Sequence, residues 1–287
     1  MANMKLIVFN VEQGQCVYIR TPNDYGVLID CGRSSSGTTP SPVEWLAEHE
    51  IPSLKQYQDH SIAAMIVTQP DDGYVADIAT LMQRLSPAVL YRDIDFDWTT
   101  LATDSNKNLQ AYHKWQSGYE PNSQPIPELG VSIKMFSLDQ QEAEQLGGDL
   151  QQTINNRSKV TVITYNSPED YTWKVVIAGD NTTQGLEALL KKPEFRKEIA
   201  EADFFVVSRH GQESGFSAEV FEAMGKPIAN IISTISGIER ADNRYRKLGQ
   251  GVKFPDGNRT YFVTREDGNI TAQMNDDGNY DVWLYTP

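Results

Sequence analysis

The chain has 287 residues, 39% hydrophobic and 22% charged, which is enough material for a sizeable core. Its 39 acidic residues against 25 basic ones leave a net charge of −14, which repels phosphate and argues against DNA or RNA as a direct partner. Apolar stretches too short to cross a bilayer, an N-terminus without the layout of a signal peptide, and only two cysteines, Cys16 and Cys31, point to a soluble cytoplasmic protein with neither a disulfide framework nor a cysteine zinc cluster.

The first third opens with strand patterns over 4–11, 15–21 and 26–31, the last two joined by the turn residues of "TPNDYG". If Thr21 pairs with Gly26, Cys16 falls opposite Cys31 as two buried thiols. Ser41 as cap and Pro42 at the first helical position predict a helix from Val43 to about Glu50. "SIAAMIVT" reads as a strand. The spacing of Val75, Ile78, Met82 and Leu85 then predicts a helix ending at Ser86-Pro87. A weaker helical pattern covers Leu109 to Trp115, and "YEPNSQPIPELG" is a proline-rich loop.

The second half supplies strands in "VSIKMFS", "KVTVITYN", "WKVVIAGD", "DFFVVS" and "IANIIST". "TTQGLEALLKK", "EFRKEIAEA" and "SAEVFEAMG" are helical. From Arg259 onward the tail reads as antiparallel strands turned at Asp267-Gly268 and Asp277-Gly278. Strands with covering helices in both halves predict an α/β sandwich of two mixed sheets, one from each half. Helices at 43–50, 75–85, 183–191 and 217–224 would lie outside, in a single domain spanning 1–287.

Four stretches carry candidate chemistry: "VFNVEQGQCVYIRTPNDYGVLIDCG", "VTQPDDGYVAD", "NNRSKVTVITYNSPEDYTWKVVIAGD" and "ADFFVVSRHGQESGFSAEVFEAMGKPIANIIS". Within them Gln13-Gly14, Leu28-Ile29-Asp30 with Gly32, Asn155, Ser158, Val160, Gly179-Asp180 and His210-Gly211 stand in an ordered set. That set resembles the metallo-β-lactamase superfamily, and within it the hydrolase domain of ComEC-type DNA-uptake competence proteins. The resemblance runs from residue 4 to about 275 and implies the αββα sandwich. Other chemistries have no footing, since the sequence holds no Gly-x-Ser-x-Gly elbow and no phosphate-binding loop.

The resemblance also says where metal ligands would stand. The four positions of the His-x-His-x-Asp-His motif hold Gln69, Asp71, Gly73 and Tyr74, and the later histidine pair is Arg209-His210. A further C-terminal histidine position offers Arg246. Asp180, the bridging carboxylate of the family, is retained, as are His210 and Asp30, whose carboxylate orients neighbours of the site. Two zinc ions need roughly seven protein ligands, and these residues do not supply them. Gln69, Asp71, Asp180 and His210 remain as a residual set for a single divalent ion such as Mg²⁺ or Mn²⁺.

Plainer roles compete for the same residues. Asp180 would cap a helix starting near Thr182, Asp71-Asp72-Gly73 has the composition of a turn, and Arg209-His210 would tether a loop. His49, His60 and His113 belong to no motif. Arg209, with Arg246 as a second candidate, is expected to neutralise Asp180 or Asp71 in place of a metal.

Three functions follow. One is a degenerate, non-hydrolytic member acting as a subunit of a protein complex, in line with a likeness to components of bacterial defence systems. The second is a mononuclear metal-dependent hydrolase or nuclease, with Asp180 and His210 as its catalytic residues. The third binds a small ligand without chemistry. The acidic surface favours protein partners, with loops 32–42 and 119–130 as contact elements.

Overall fold

Along the first strand, β1 (Asn3–Val8), Leu6 and Val8 enter one hydrophobic layer and Ile7 another, because successive strand side chains point to opposite faces. The same division recurs across the sheet formed by β1, β2 (Val17–Arg20), β3 (Gly26–Ile29), β4 (Ile62–Ile66) and β5 (Pro87–Tyr91). In this computed structural model the described residues are 3–12, 14–37, 39–97, 106–120, 126–234, 242–255 and 257–285. Gln13, Thr38 and the stretch 121–125 of the proline-rich loop therefore lie outside them.

The second sheet contains β6 (Ser132–Phe136), β7 (Val160–Asn166), β8 (Thr172–Ile177), β9 (Phe204–Val206), β10 (Ala229–Ile232) and β13 (Tyr261–Val263), in the order β13-β10-β9-β8-β7-β6. A short hairpin of β11 (Val252–Phe254) and β12 (Gly257–Arg259) stands apart. The chain then returns to the first sheet as β14 (Asn269–Asn275) and β15 (Tyr280–Tyr285), giving the order β15-β14-β1-β2-β3-β4-β5. The expectation that each half builds one sheet is thus corrected. β1 bonds to β14 over six residue pairs, so the C-terminal hairpin closes the edge of the N-terminal sheet.

Asp267-Gly268 is likewise not a hairpin turn. It ends a helical turn, α10 (Thr264–Asp267), that carries the chain from β13 in one sheet to β14 in the other. Asp267 is held there by Arg259, at 2.8 Å to each oxygen, and by the Val263 N–H. Asp277-Gly278 does turn the β14–β15 hairpin.

Helices cover both outer faces. α1 (Pro42–His49), α2 (Asp72–Val75), α3 (Ile78–Arg84) and α4 (Lys107–Gln116) pack Val43, Leu46, Val75, Leu81 and Tyr112 on the first sheet. Ser41 caps α1 by accepting from the Glu44 N–H. The helix expected over 75–85 is instead divided between α2 and α3. On the second sheet lie α5 (Gln140–Gln145), α6 (Leu150–Asn156), α7 (Thr183–Leu190), α8 (Pro193–Ile199) and α9 (Ala218–Met224), contributing Leu186, Leu189, Phe195, Phe221 and Met224. Between the sheets, Leu6, Val8, Ile29 and Ile66 meet Ile163, Val175, Ile177 and Val206.

The β2–β3 register pairs Arg20 with Gly26 and Val17 with Ile29, one residue from the expected alignment. Cys16 and Cys31 lie just outside that ladder, and both are buried free thiols. Among the described residues, no helix is long and apolar enough to cross a membrane.

Candidate functional site

Parallel strands need crossover helices, so their ends gather loops from distant parts of the chain. β3 pairs parallel with β4, β8 with β9 and β9 with β10. The residues leaving their carboxyl ends are Asp30, Thr68-Gln69, Gly179-Asp180, Arg209-His210 and Ser233. The strand order thus brings the sequence-predicted residues to one edge of the sandwich.

Asp30 is fully buried and adopts a left-handed backbone, φ 58°. Its carboxylate accepts from Gln15 Nε2 (2.7 Å), the Thr68 N–H (2.7 Å) and Thr68 Oγ1 (2.8 Å), fixing the start of the 68–71 loop. Burial pushes its pKa up to about 8 against these three donors. Asp71 caps α2, accepting from the Gly73 N–H at 3.1 Å, so its turn role holds. Burial also raises the Asp71 pKa, while the charges of Asp180 and His210 act on it from nearby.

Gly73 belongs to a backbone junction. A Cβ on Gly14 would lie 1.7 Å from the Gly73 carbonyl oxygen and one on Gly32 2.6 Å from it, so the start of α2 is wedged between two glycines. Tyr74, next in line, is buried, with its ring centroid 6.3 Å from that of His210. Burial, foremost, drives its pKa well up.

Asp180 is the hub. It is not the cap of the next helix, because Thr182 caps α7 by accepting from the Gly185 N–H. Its own N–H donates to Ser158 Oγ at 2.9 Å, and the Gly179 before it, φ +60°, has no room for a Cβ beside that hydroxyl. Gln69 Nε2 donates to Asp180 Oδ2 at 3.4 Å, and Arg209 Nη1 stands 3.5 Å from the same oxygen. In the amide orientation that satisfies its neighbours, Asn155 donates to Oδ2 at 3.0 Å and accepts from Arg209. His210 Nε2 is 4.0 Å from Oδ1, and its Nδ1 is 3.0 Å from the Ser233 carbonyl oxygen.

The loop that presents Arg209 and His210 is strained. Both residues are left-handed, with φ 48° and 54°, and Gly211 follows at 77°. Each non-glycine residue there costs on the order of 1–3 kcal/mol unless its surroundings hold it. Arg209 Nε donates to Ser214 Oγ (2.9 Å), Ser208 Oγ donates to the Asn181 carbonyl, and Ser233 Oγ donates to the Gly14 carbonyl (3.0 Å).

The expectation for Arg246 is corrected. Its guanidinium lies 4.4 Å from the centroid of the Tyr261 ring, a cation–π contact outside the Asp180 cluster. His49 stacks on Trp45, and neither His60 nor His113 joins the site. Two residues singled out only as motif matches, Asn155 and Ser158, bracket Asp180. The Asn-x-x-Ser spacing itself was the available signal.

The donor set does not fit a dinuclear zinc centre. At two of the positions where the resemblance would put ligands, Gln69 and Arg209 turn N–H groups on Asp180, and arginine cannot deprotonate. Among the described residues, no three His, Cys, Asp or Glu side chains are grouped as a metal ion requires.

No family model matches the chain, and no curated protein matches it in sequence. Solved structures do. The metallo-β-lactamase fold protein YhfI from Bacillus subtilis superposes with a TM-score of 0.50 at 12% identity, over 98% of this chain and 99% of that one. A diphosphatase of the PhnP family gives 0.47 at 10% identity over 99% of both chains. Zn²⁺-bound PqqB from Methylobacterium extorquens gives 0.43 at 12% over 71% of this chain and 72% of that one. With its two facing mixed sheets and outer helices, this chain has the metallo-β-lactamase fold.

Proposed function

We propose that this chain is a metallo-β-lactamase-fold protein without zinc-dependent hydrolysis, acting as a subunit of a protein complex. The observation that carries this reading is the set of donors on Asp180. Gln69 and Arg209 occupy positions where the resemblance to ComEC-type domains puts metal ligands, and both address the carboxylate instead of an ion, while Tyr74, at a third such position, is a buried phenol. A buried carboxylate without its cation is costly, and charge-assisted hydrogen bonds offset that cost. A fold kept with its catalytic ligands replaced serves through its surface. At a net charge of −14 that surface favours basic or apolar patches on other proteins, as in the assemblies of bacterial defence that the resemblance suggests.

The approach of His210 Nε2 to within 4.0 Å of Asp180 Oδ1 favours a second reading, a mononuclear hydrolase acting on phosphodiesters. A nuclease assay of the isolated protein across Mg²⁺, Mn²⁺ and Zn²⁺, with Asp180→Ala as control, separates the two. The non-hydrolytic reading expects no cleavage above the variant's background and co-purification of protein partners from the native host. Robust metal-dependent cleavage lost in the variant overturns it.

A further inference from the structure

Among the described residues the two large sheets end on four open strands, β15 and β5 in the first and β13 and β6 in the second. An open edge is a template for another strand, and proteins blunt it with short length, proline or lysine. β13 has only three residues, β5 starts at Pro87 and β6 carries Lys134. β15 runs for six residues with neither lysine nor proline. The Asn275 N–H donates to the Asn279 carbonyl at 2.9 Å, which sets the alternation of the β14–β15 ladder. Tyr280, Val282 and Leu284 therefore turn their N–H and C=O groups away from β14, and no described residue answers them. Their side chains pack inward on the core, so Trp283 and Tyr285 stand on the outer face, 46% and 51% exposed. On the inner side a cavity of about 850 Å³ lies between this strand and β11, lined by Val252, Phe254, Tyr280, Val282 and Trp283.

We propose that this edge is the seam of a homodimer, in which β15 of a second copy pairs antiparallel with β15 and joins the two first sheets into one. A two-fold contact must be self-complementary, and the pairing centred on Trp283 meets that demand. It sets Trp283 opposite its own copy in a non-hydrogen-bonded pair, where side chains approach most closely. Val282 then exchanges both backbone hydrogen bonds with Leu284 of the second copy, whose side chain enters the apolar cavity beside Val252 and Phe254. Asp281 falls opposite Tyr285 of the second copy, a phenol able to donate to its carboxylate. Centring on Asp281 would instead oppose two carboxylates, which is destabilising. The seam uses neither Asp180 nor its neighbours, so it stands or falls separately from the non-hydrolytic reading.

Sedimentation of the whole chain should show a monomer–dimer equilibrium, a weak one, because six strand residues a side fall below the roughly 20–30 of a standard interface. Each copy carries a net charge of −14, so added salt should tighten the dimer by screening their repulsion. An acidic chain held by a basic partner would respond in the opposite sense. Trp283→Lys guards the edge and removes the central pair, and should weaken association by about tenfold or more. Met82→Lys makes the same change of charge at a residue on α3 that is 50% exposed, and should leave association nearly unchanged. In the wild-type protein, hydrogen exchange over 280–285 should slow as concentration rises, while 87–91 and 132–136 keep their rates. A monomer at every concentration reached, or a dimer that Trp283→Lys leaves intact or that both variants weaken equally, overturns the proposal. So does slowed exchange over 280–285 that appears only when another protein of the native host is added.

Discussion

Asp30 and Asp180 both close the carboxyl ends of strands in the same edge of the sandwich, yet their surroundings differ in kind. Asp30 is sealed and served by close neighbours: the side chains of Gln15 and Thr68 and the Thr68 N–H all donate to it. Asp180 is served from three loops, and its side chain stays 12% exposed beside Arg209 and His210. The contrast teaches that a carboxylate kept as scaffolding is recognised by complete local satisfaction. At Asp180 the donors come instead from segments distant in sequence.

The largest expected effect falls on the scaffold. Asp30→Ala strands three buried donors and should cost about 3–5 kcal/mol in chemical denaturation. Asp180→Ala should cost about 1–2 kcal/mol, because Gln69 and Arg209 lose an acceptor at a partly solvated edge. If Asp180→Ala proves the more damaging of the two, the distinction between them collapses.

The pH dependence sharpens the same contrast. With its folded pKa raised to about 8, Asp30 favours the folded state fully below its unfolded value, and that contribution is lost as pH rises through 8. Asp203, raised by burial to about 6, acts in the same direction over a lower window. Thermal melts from pH about 4 to 8 should therefore show the wild type losing stability relative to Asp30→Asn, which cannot titrate. Curves that stay parallel would mean that the three donors hold Asp30 ionised throughout.

Arg209→Ala is expected to change stability least, by under about 1 kcal/mol, since an ion pair as long as 3.5 Å at the rim of the site contributes little. A loss comparable to that of Asp30→Ala would place Arg209 in the scaffold instead.

Much of this was legible in the sequence. The strand runs and the ordered Gly-Asp, Asn-x-x-Ser and His-Gly motifs implied the sandwich and the approach of Gln69 and His210 to Asp180. Arg209 pairs with Asp180 as its adverse chemistry at a ligand position implied. What failed were judgements about partners remote in sequence. Nothing local in the tail says that β14 pairs with β1, and Asp267-Gly268 looks like a hairpin turn until Arg259 is seen to hold it in a crossover. Arg246 was placed by counting along a motif, whereas its aromatic neighbour Tyr261 lies on another strand. α5 and α6 escaped because their faces are polar, although Asp139-x-x-Glu142 and Asp149-x-x-Gln152 are capping boxes readable from the sequence.

The central claim, that the chain's own donors have taken the place of metal on Asp180, is tested most directly by elemental analysis of protein equilibrated with Zn²⁺ and then dialysed. The account predicts far less than two equivalents of zinc and no dinuclear centre. Two zinc ions held through dialysis, with Asp180 between them, would contradict it.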